Sequence, residues 1–202
     1  MRNLLVSWLA ASVVGSFVLL ANPREAHAQQ YYYVRPQPVY GTGLNIGVDL
    51  EGAADVTPPP STDVEGGGGV KLRLGVEFRR PWLRIIPEAG FGYTHLFIQD
   101  PSGANVGWNM ERLFVGARIG FGELIVPVLY GHIGYGWRAT EDDNGGVYIP
   151  SASGLTVDGG VALDFHLVRH FGFGLHLEYT TVQAAPAIPD WVAAGVHGDY
   201  RF

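Results

Sequence analysis

The chain has 202 residues, with 19 acidic and 13 basic side chains, a net charge of −6 and no cysteine. The acidic balance argues against a nucleic-acid partner, because nucleic-acid binding requires basic surface. The lack of cysteine excludes a disulfide framework and a thiolate metal site, so backbone hydrogen bonds and side-chain packing must hold the fold.

The first residues have the pattern of a secretory signal peptide. Arg2 precedes a mostly apolar run from Leu4 to Ala21, and Ala26-His27-Ala28 matches an A-x-A cleavage signal. We predict a signal peptide over 1–28 that is cleaved after Ala28. A membrane-spanning helix is the alternative, but no stop-transfer pattern follows the apolar run.

Residues 29–41 contain two prolines and no clean alternation, so we predict a periplasmic lead-in to a domain that covers 42–202. Within that domain, eight segments alternate apolar and polar residues. A period of two indicates strands with one apolar and one polar face. We predict these strands at 43–53, 69–79, 82–98, 107–122, 124–139, 153–167, 171–182 and 190–202.

The connections between these segments alternate between long and short. Only 80–81, 123 and 168–170 separate the strands on one side, whereas the other side has connections such as 55–68 and 140–152. This alternation is typical of even-stranded barrels with short periplasmic turns and long external loops. It predicts an all-β fold, an eight-stranded antiparallel transmembrane up-and-down β-barrel, with both termini in the periplasm.

Two observations predict that the polar faces point into the barrel, the reverse of a soluble barrel. Aromatic residues gather at both ends of the apolar faces around an aliphatic middle, as at the two interfaces of a bilayer. The polar faces carry equal numbers of acids and bases, as an enclosed interior requires. We predict a charge network in the lumen made of Asp49, Glu51, Lys71, Arg73, Glu77, Arg79, Arg84, Glu88, Arg112, Arg118, Arg138, Asp158, Asp164, Glu178, Asp199 and Arg201.

Eight strands enclose a lumen that side chains can just fill. The prediction is therefore a salt-bridged core, with an open pore as the less favoured alternative. Inward-facing glycines are expected to leave room for the long arginines opposite. Four histidines on adjacent strands also point inward, and we expect them to join the hydrogen-bonded network rather than form a metal or catalytic site. These histidines are His132, His166, His176 and His197.

We predict no enzyme activity, no metal and no cofactor. A lipid-modifying site would need a histidine beside a serine or aspartate on the membrane-facing surface. The outward face offers only His95 for this role, and no serine lies two residues away.

The last strand ends in Tyr200-Arg201-Phe202. Together with the signal peptide, the eight alternating strands and the alternating loop lengths, this ending resembles the small eight-stranded outer-membrane β-barrel family, OmpA transmembrane-domain-like or OmpX-like. The resemblance implies that Tyr200 and Phe202 form the signal read by the outer-membrane assembly machinery. It also implies a bacterial outer-membrane location, in contact with membrane lipid and lipopolysaccharide.

The resemblance implies a structural or surface-interaction role. The alternative is a narrow channel for small solutes, and a lipid-modifying barrel enzyme is less favoured. The long connections could contact an extracellular ligand, which no motif in them specifies.

Overall fold

The computed structural model describes residues 41–56, 63–99, 105–140, 149–166, 170–184, 188 and 190–202. The predicted signal peptide, its cleavage site at Ala28 and nearly all of the lead-in lie outside these residues. Eight strands make up the domain: β1 (Gly41–Asp55), β2 (Asp63–Arg79), β3 (Leu83–Gln99), β4 (Asn105–Phe121), β5 (Ile125–Thr140), β6 (Ile149–Phe165), β7 (Phe171–Ala184) and β8 (Trp191–Arg201). Within the described ranges, no helix has the length and apolar character needed to cross a membrane.

The strands form one closed antiparallel barrel in which each strand pairs with the next and β8 pairs with β1. The closing seam places Leu50 opposite Val196 and Asp49 opposite His197. The Phe202 N–H continues this seam by donating to the Leu44 carbonyl at 3.0 Å. Because β8 pairs with β1, neither the first nor the last of the described strands is left as an edge of the sheet. The closed barrel confirms the predicted fold class.

The apolar face of every strand points outward. Aliphatic side chains in the middle of the strands are about half exposed, including Leu129 at 58% and Leu175 at 55%. Aromatic side chains stand at both ends of this surface, as Phe173 and Tyr179 do on β7. An apolar surface that surrounds the molecule would aggregate in water and is stable in a bilayer. The barrel is therefore of the transmembrane type.

β2 begins at Asp63 rather than at the predicted Gly69, because a glycine run pairs with β3. Gly66 has a φ of +122° and lies at a register shift that follows Val64, as in a β-bulge. A Cβ on Gly69 would lie 3.0 Å from Glu51 Oε1 and 3.0 Å from Thr94 Oγ1. Neighbouring side chains thus fill the space beside the run. Four glycines show no alternation, so the pattern of the sequence could not reveal this part of the strand.

Pro87 lies on the outward face of β3, where the pairing with β2 is interrupted. The β2–β3 register runs to Gly75 opposite Glu88 and resumes at Phe78 opposite Ile85. Proline has no N–H to donate to the ladder. The interruption is confined to one side of the strand, because Pro87 remains opposite Ala117 of β4.

Candidate functional site

The sixteen residues of the predicted charge network lie on the inward faces of the strands. All are buried apart from Arg79, whose side chain is 13% exposed. Their alternation with outward aliphatic residues explains this placement, because successive side chains of a strand point to opposite faces. The chemical content of the barrel interior is therefore decided by these side chains and their neighbours.

Arg73 of β2 lies at the centre of the network. Its Nη2 donates to Asp49 Oδ1 at 2.7 Å and to Asp199 Oδ1 at 3.0 Å, and its Nη1 donates to Glu88 Oε2 at 3.1 Å. Arg118 donates to Glu88 Oε1 at 2.9 Å and lies 3.5 Å from Asp49 Oδ2. Two arginines and three acids from five strands thus form one hydrogen-bonded group, with each charge close to an opposite charge.

A second group of charges lies nearer the long connections. Lys71 Nζ donates to Glu178 Oε1 at 2.6 Å and lies 2.8 Å from Glu51 Oε2. Arg112 donates from Nη2 to Glu178 Oε1 and from Nη1 to Asp158 Oδ2, both at 2.7 Å. Glu178 of β7 therefore accepts from β2 and β4, two strands that are not its neighbours. The side chains connect walls of the barrel that backbone pairing does not connect.

A third group lies nearer the short turns. Arg84 Nη2 donates to Asp164 Oδ2, and Arg84 Nη1 lies 2.6 Å from His166 Nε2. Asp164 Oδ1 lies 2.8 Å from His197 Nε2. This group connects β3, β6 and β8 across the interior.

The remaining members of the network lie toward the two ends of the barrel. Glu77 contacts Arg79 at 2.7 Å and Arg201 at 4.0 Å near the short turns. At the opposite end, the Arg138 guanidinium lies 4.1 Å from the centroid of the Trp108 ring. Such a cation–π contact gives a buried arginine a favourable environment.

The four inward histidines take part in these groups. His132 contacts two carboxylates, with Nδ1 at 2.5 Å from Asp158 Oδ1 and Nε2 at 2.8 Å from Glu88 Oε1. His176 Nδ1 lies 3.4 Å from His197 Nδ1. Both nitrogens of His132 are therefore used in hydrogen bonds.

Two clusters in this interior have the ligand spacing of a metal site: His132 with Asp158 and Glu178, and Asp164 with His197 and Asp199. Arginine or lysine contacts every carboxylate in both clusters. These fixed cations supply the positive charge that a metal ion would bring. The donor sets are thus better matched to a network of ion pairs than to a divalent cation.

The interior also contains apolar groups, which the prediction of a polar lumen missed. A cluster toward the long connections includes Trp191, 1% exposed, and Leu96, 0% exposed. Ile188, which precedes β8, packs into the same cluster. The full cluster comprises Ala53, Leu96, Met110, Ala152, Val182, Ile188, Trp191 and Ala193. The signal was available in the sequence, because Leu96 and Met110 alternate in phase with Glu88 and Arg112.

The inward glycines leave space for rings, for branched side chains and for arginines, so the prediction that they make room for arginines holds for only some of them. A Cβ on Gly174 would lie 2.6 Å from His197 Nε2, and one on Gly120 would lie 2.7 Å from Val126 Cγ1. Gly92 is of the predicted kind, at 3.0 Å from Arg112 Nε, and a Cβ on Gly47 would lie 2.6 Å from Arg73 Nη2. Aromatic and branched side chains need this space because they are bulky close to the backbone.

The predicted assembly residues Tyr200 and Phe202 both point outward, and Phe202 is 66% exposed. Their ring centroids lie 4.9 Å apart in an edge-to-face arrangement. The role in assembly stays a prediction.

Comparison with known proteins identifies the fold. No family model matches the chain, and no curated protein matches it. Among solved structures, Neisserial surface protein A is similar at a TM-score of 0.56 and 10% identity, over 80% of this chain and 99% of that one. Ail, the attachment invasion locus protein of Yersinia pestis, is similar at a TM-score of 0.53 and 15% identity, over 81% of this chain and 100% of that one.

The chain therefore has the fold of the small eight-stranded outer-membrane β-barrels. This confirms the resemblance noted from the sequence at the level of fold. The outward apolar surface agrees with that environment, and the bacterial outer membrane is the location that fold and surface together support.

Proposed function

We propose that this protein is an integral outer-membrane barrel whose lumen is closed by its own side chains and which serves a structural or surface-interaction role. The observation that carries the proposal is the set of buried ion pairs between strands that are not neighbours, such as Lys71 with Glu178 and Arg118 with Asp49. The long connections would face the exterior and both termini the periplasm.

Burial distinguishes this interior from that of a water-filled pore. In a pore, charged side chains line the wall and are hydrated. Here Arg73 and Arg118 are each 2% exposed, and their hydrogen bonds are made to other side chains. A buried charge that lost its partner would be costly. A solute path through this layer would therefore require several ion pairs to break together.

The apolar cluster that contains Trp191 supports the same conclusion from the other end of the lumen. It lies between the charged groups and the long connections, and its members come from β1, β3, β4, β6, β7 and β8. An ion that entered from this side would first have to pass closely packed apolar side chains, which cannot replace its hydration shell. The apolar cluster and the layer of ion pairs thus both oppose the passage of ions through the lumen.

The outward-facing His95 supports a non-catalytic role. Its Nδ1 lies 2.6 Å from the amide oxygen of Asn109, and the Tyr93 hydroxyl donates to the same oxygen at 2.7 Å. An asparagine orients the histidine of Cys-His-Asn sites, but this chain contains no cysteine that could serve as their nucleophile. The arrangement is suited to hydrogen bonding rather than to nucleophilic catalysis.

The proposed role predicts a defect of the envelope when the gene is deleted. We expect deletion cells to take up more of an apolar fluorescent dye and to become more sensitive to detergent, because a barrel that packs against lipid is missing. A plasmid copy of the gene should restore dye exclusion and detergent resistance. Normal dye exclusion together with slower uptake of a small solute would contradict the structural role and favour the channel.

A further inference from the structure

One carboxylate breaks the apolar character of the lipid-facing surface. Among the strand side chains that the structure describes, Glu111 of β4 is the only charged one on the outward face. It lies opposite Tyr93 of β3 and Trp137 of β5, and Trp137 Nε1 donates to Glu111 Oε2 at 2.7 Å. A charged group on this face is costly at the bilayer midplane and tolerated near the interface. Its position therefore indicates a polar environment beside that part of the barrel.

Glu111 belongs to a contiguous group of polar and aromatic side chains on β3 to β6. Trp137 lies opposite Ser153. Tyr93, Glu111, Trp137 and Ser153 are therefore directly opposite one another on four neighbouring strands, and such a row of cross-strand partners is called a rung below. The next rung toward the long connections places His95 opposite Asn109. This polar strip consists of Tyr93, His95, Asn109, Glu111, Trp137 and Ser153.

The polar strip covers only one side of the barrel. The rung that holds Tyr93 continues to Val70 on β2, then to Leu50 on β1 and Val196 on β8. An ordinary aromatic girdle would account for tyrosine and tryptophan around the whole circumference. It does not account for a carboxylate, an amide and an imidazole gathered on one side.

The chemistry of the strip matches a sugar. The Glu111 carboxylate can accept hydrogen bonds from hydroxyl groups, and the faces of tyrosine and tryptophan pack against apolar C–H surfaces. Asn109 is 7% exposed, and its amide oxygen holds Tyr93 and His95 in place. The strip contains no lysine or arginine to pair with a phosphate. We propose that the polar strip binds the sugar head group of a membrane glycolipid at the lipid–water boundary. The inference rests on the orientation proposed above, which places this end of the barrel in the outer leaflet.

Titration of the purified protein in detergent with lipid A tests the proposal, with phosphatidylglycerol as the comparison lipid and native mass spectrometry as the readout. Glu111→Gln is expected to weaken lipid A binding about tenfold, because a neutral amide replaces the charged acceptor and the hydrogen bond loses its charge assistance. Trp137→Phe keeps an aromatic ring, removes the N–H and is expected to weaken binding as well. The matched control is Tyr179→Phe, which removes a 2.7 Å hydrogen bond to Asp190 outside the strip and should leave binding unchanged.

Three results would overturn the proposal: equal lipid A affinity for Glu111→Gln and Tyr179→Phe, equal affinity of the natural protein for both lipids, or a dimer that Glu111→Gln dissociates. The last result would make the strip a contact between two copies of the chain. Heat-modifiable gel mobility confirms that each variant is folded. The test is separable from that of the closed lumen, because lipid binding to the outer face does not depend on whether the lumen conducts.

Discussion

Replacing Arg73 with methionine is expected to destabilise the barrel by about 3–5 kcal/mol. The arginine holds three acids, from β1, β3 and β8, within hydrogen-bonding distance. Asp49 and Glu88 retain contacts with Arg118, whereas the ion pair that Asp199 would keep among the described residues is the one with His197, at 3.9 Å. A buried carboxylate would then be left without a strong partner. Unfolding by urea in phospholipid vesicles, followed by tryptophan fluorescence, measures the change.

Arg80→Met is the matched control for this prediction. Arg80 follows β2 and is exposed, outside the charge network. The same substitution at this surface position is expected to cost about 0.5 kcal/mol or less. Adding Asp199→Asn to Arg73→Met should recover about 1 kcal/mol or more, because the two sites are coupled. Equal losses for Arg73→Met and Arg80→Met, or no recovery in the double variant, would contradict the account of the network.

Placing an arginine at position 175 is expected to destabilise the protein by about 2–4 kcal/mol in a bilayer. Leu175 is 55% exposed on the outward face of β7, between Phe173 and Tyr179, which mark the two aromatic boundaries. A charge at this depth must leave water for hydrocarbon. Unfolding in vesicles of a lipid with a known hydrocarbon thickness provides the measurement.

Thr181→Arg is the control, on the same face of the same strand but beyond Tyr179. Position 181 lies opposite Val157 of β6 and is half-buried. An arginine there can reach the head groups, so the expected cost is about 0–1 kcal/mol. If Leu175→Arg cost no more than Thr181→Arg, the apolar band would not lie in the hydrocarbon layer.

The sequence was sufficient to predict the strands, their order and the direction of each face. Period-two alternation is a local property, and a slip of one residue would move every charge into lipid. Loop lengths then determine which strands are antiparallel neighbours. The extension of β2 was missed because Gly66 to Gly69 carry no side chains that could show a pattern.

The contents of the lumen were only partly predictable. Alternation shows that Arg118 and Glu88 point inward, but their contact depends on the relative height of two strands, which the shear of the barrel fixes. The apolar cluster around Trp191 was missed for a different reason. Alternation assigns each strand face a single character, polar or apolar. The inward face of β3 changes along its length, from the charged Glu88 to the apolar Leu96, and a single assignment hides this change.

The polar strip was also outside the reach of the sequence analysis. Glu111 could be seen as a charge near the end of an apolar face, but its neighbours come from three other strands. Their alignment depends on register, which places Tyr93, Glu111, Trp137 and Ser153 on one rung. Register between strands that are joined by long connections cannot be obtained from alternation alone.

Single-channel recording in planar lipid bilayers tests most directly whether the lumen is closed. The buried ion pairs of Arg73, Arg118 and Lys71 predict that the inserted natural protein shows no steady open state under an applied voltage. Insertion is verified by protease protection and heat-modifiable mobility. A stable, reproducible conductance of the verified protein would contradict the closed lumen and favour a narrow channel.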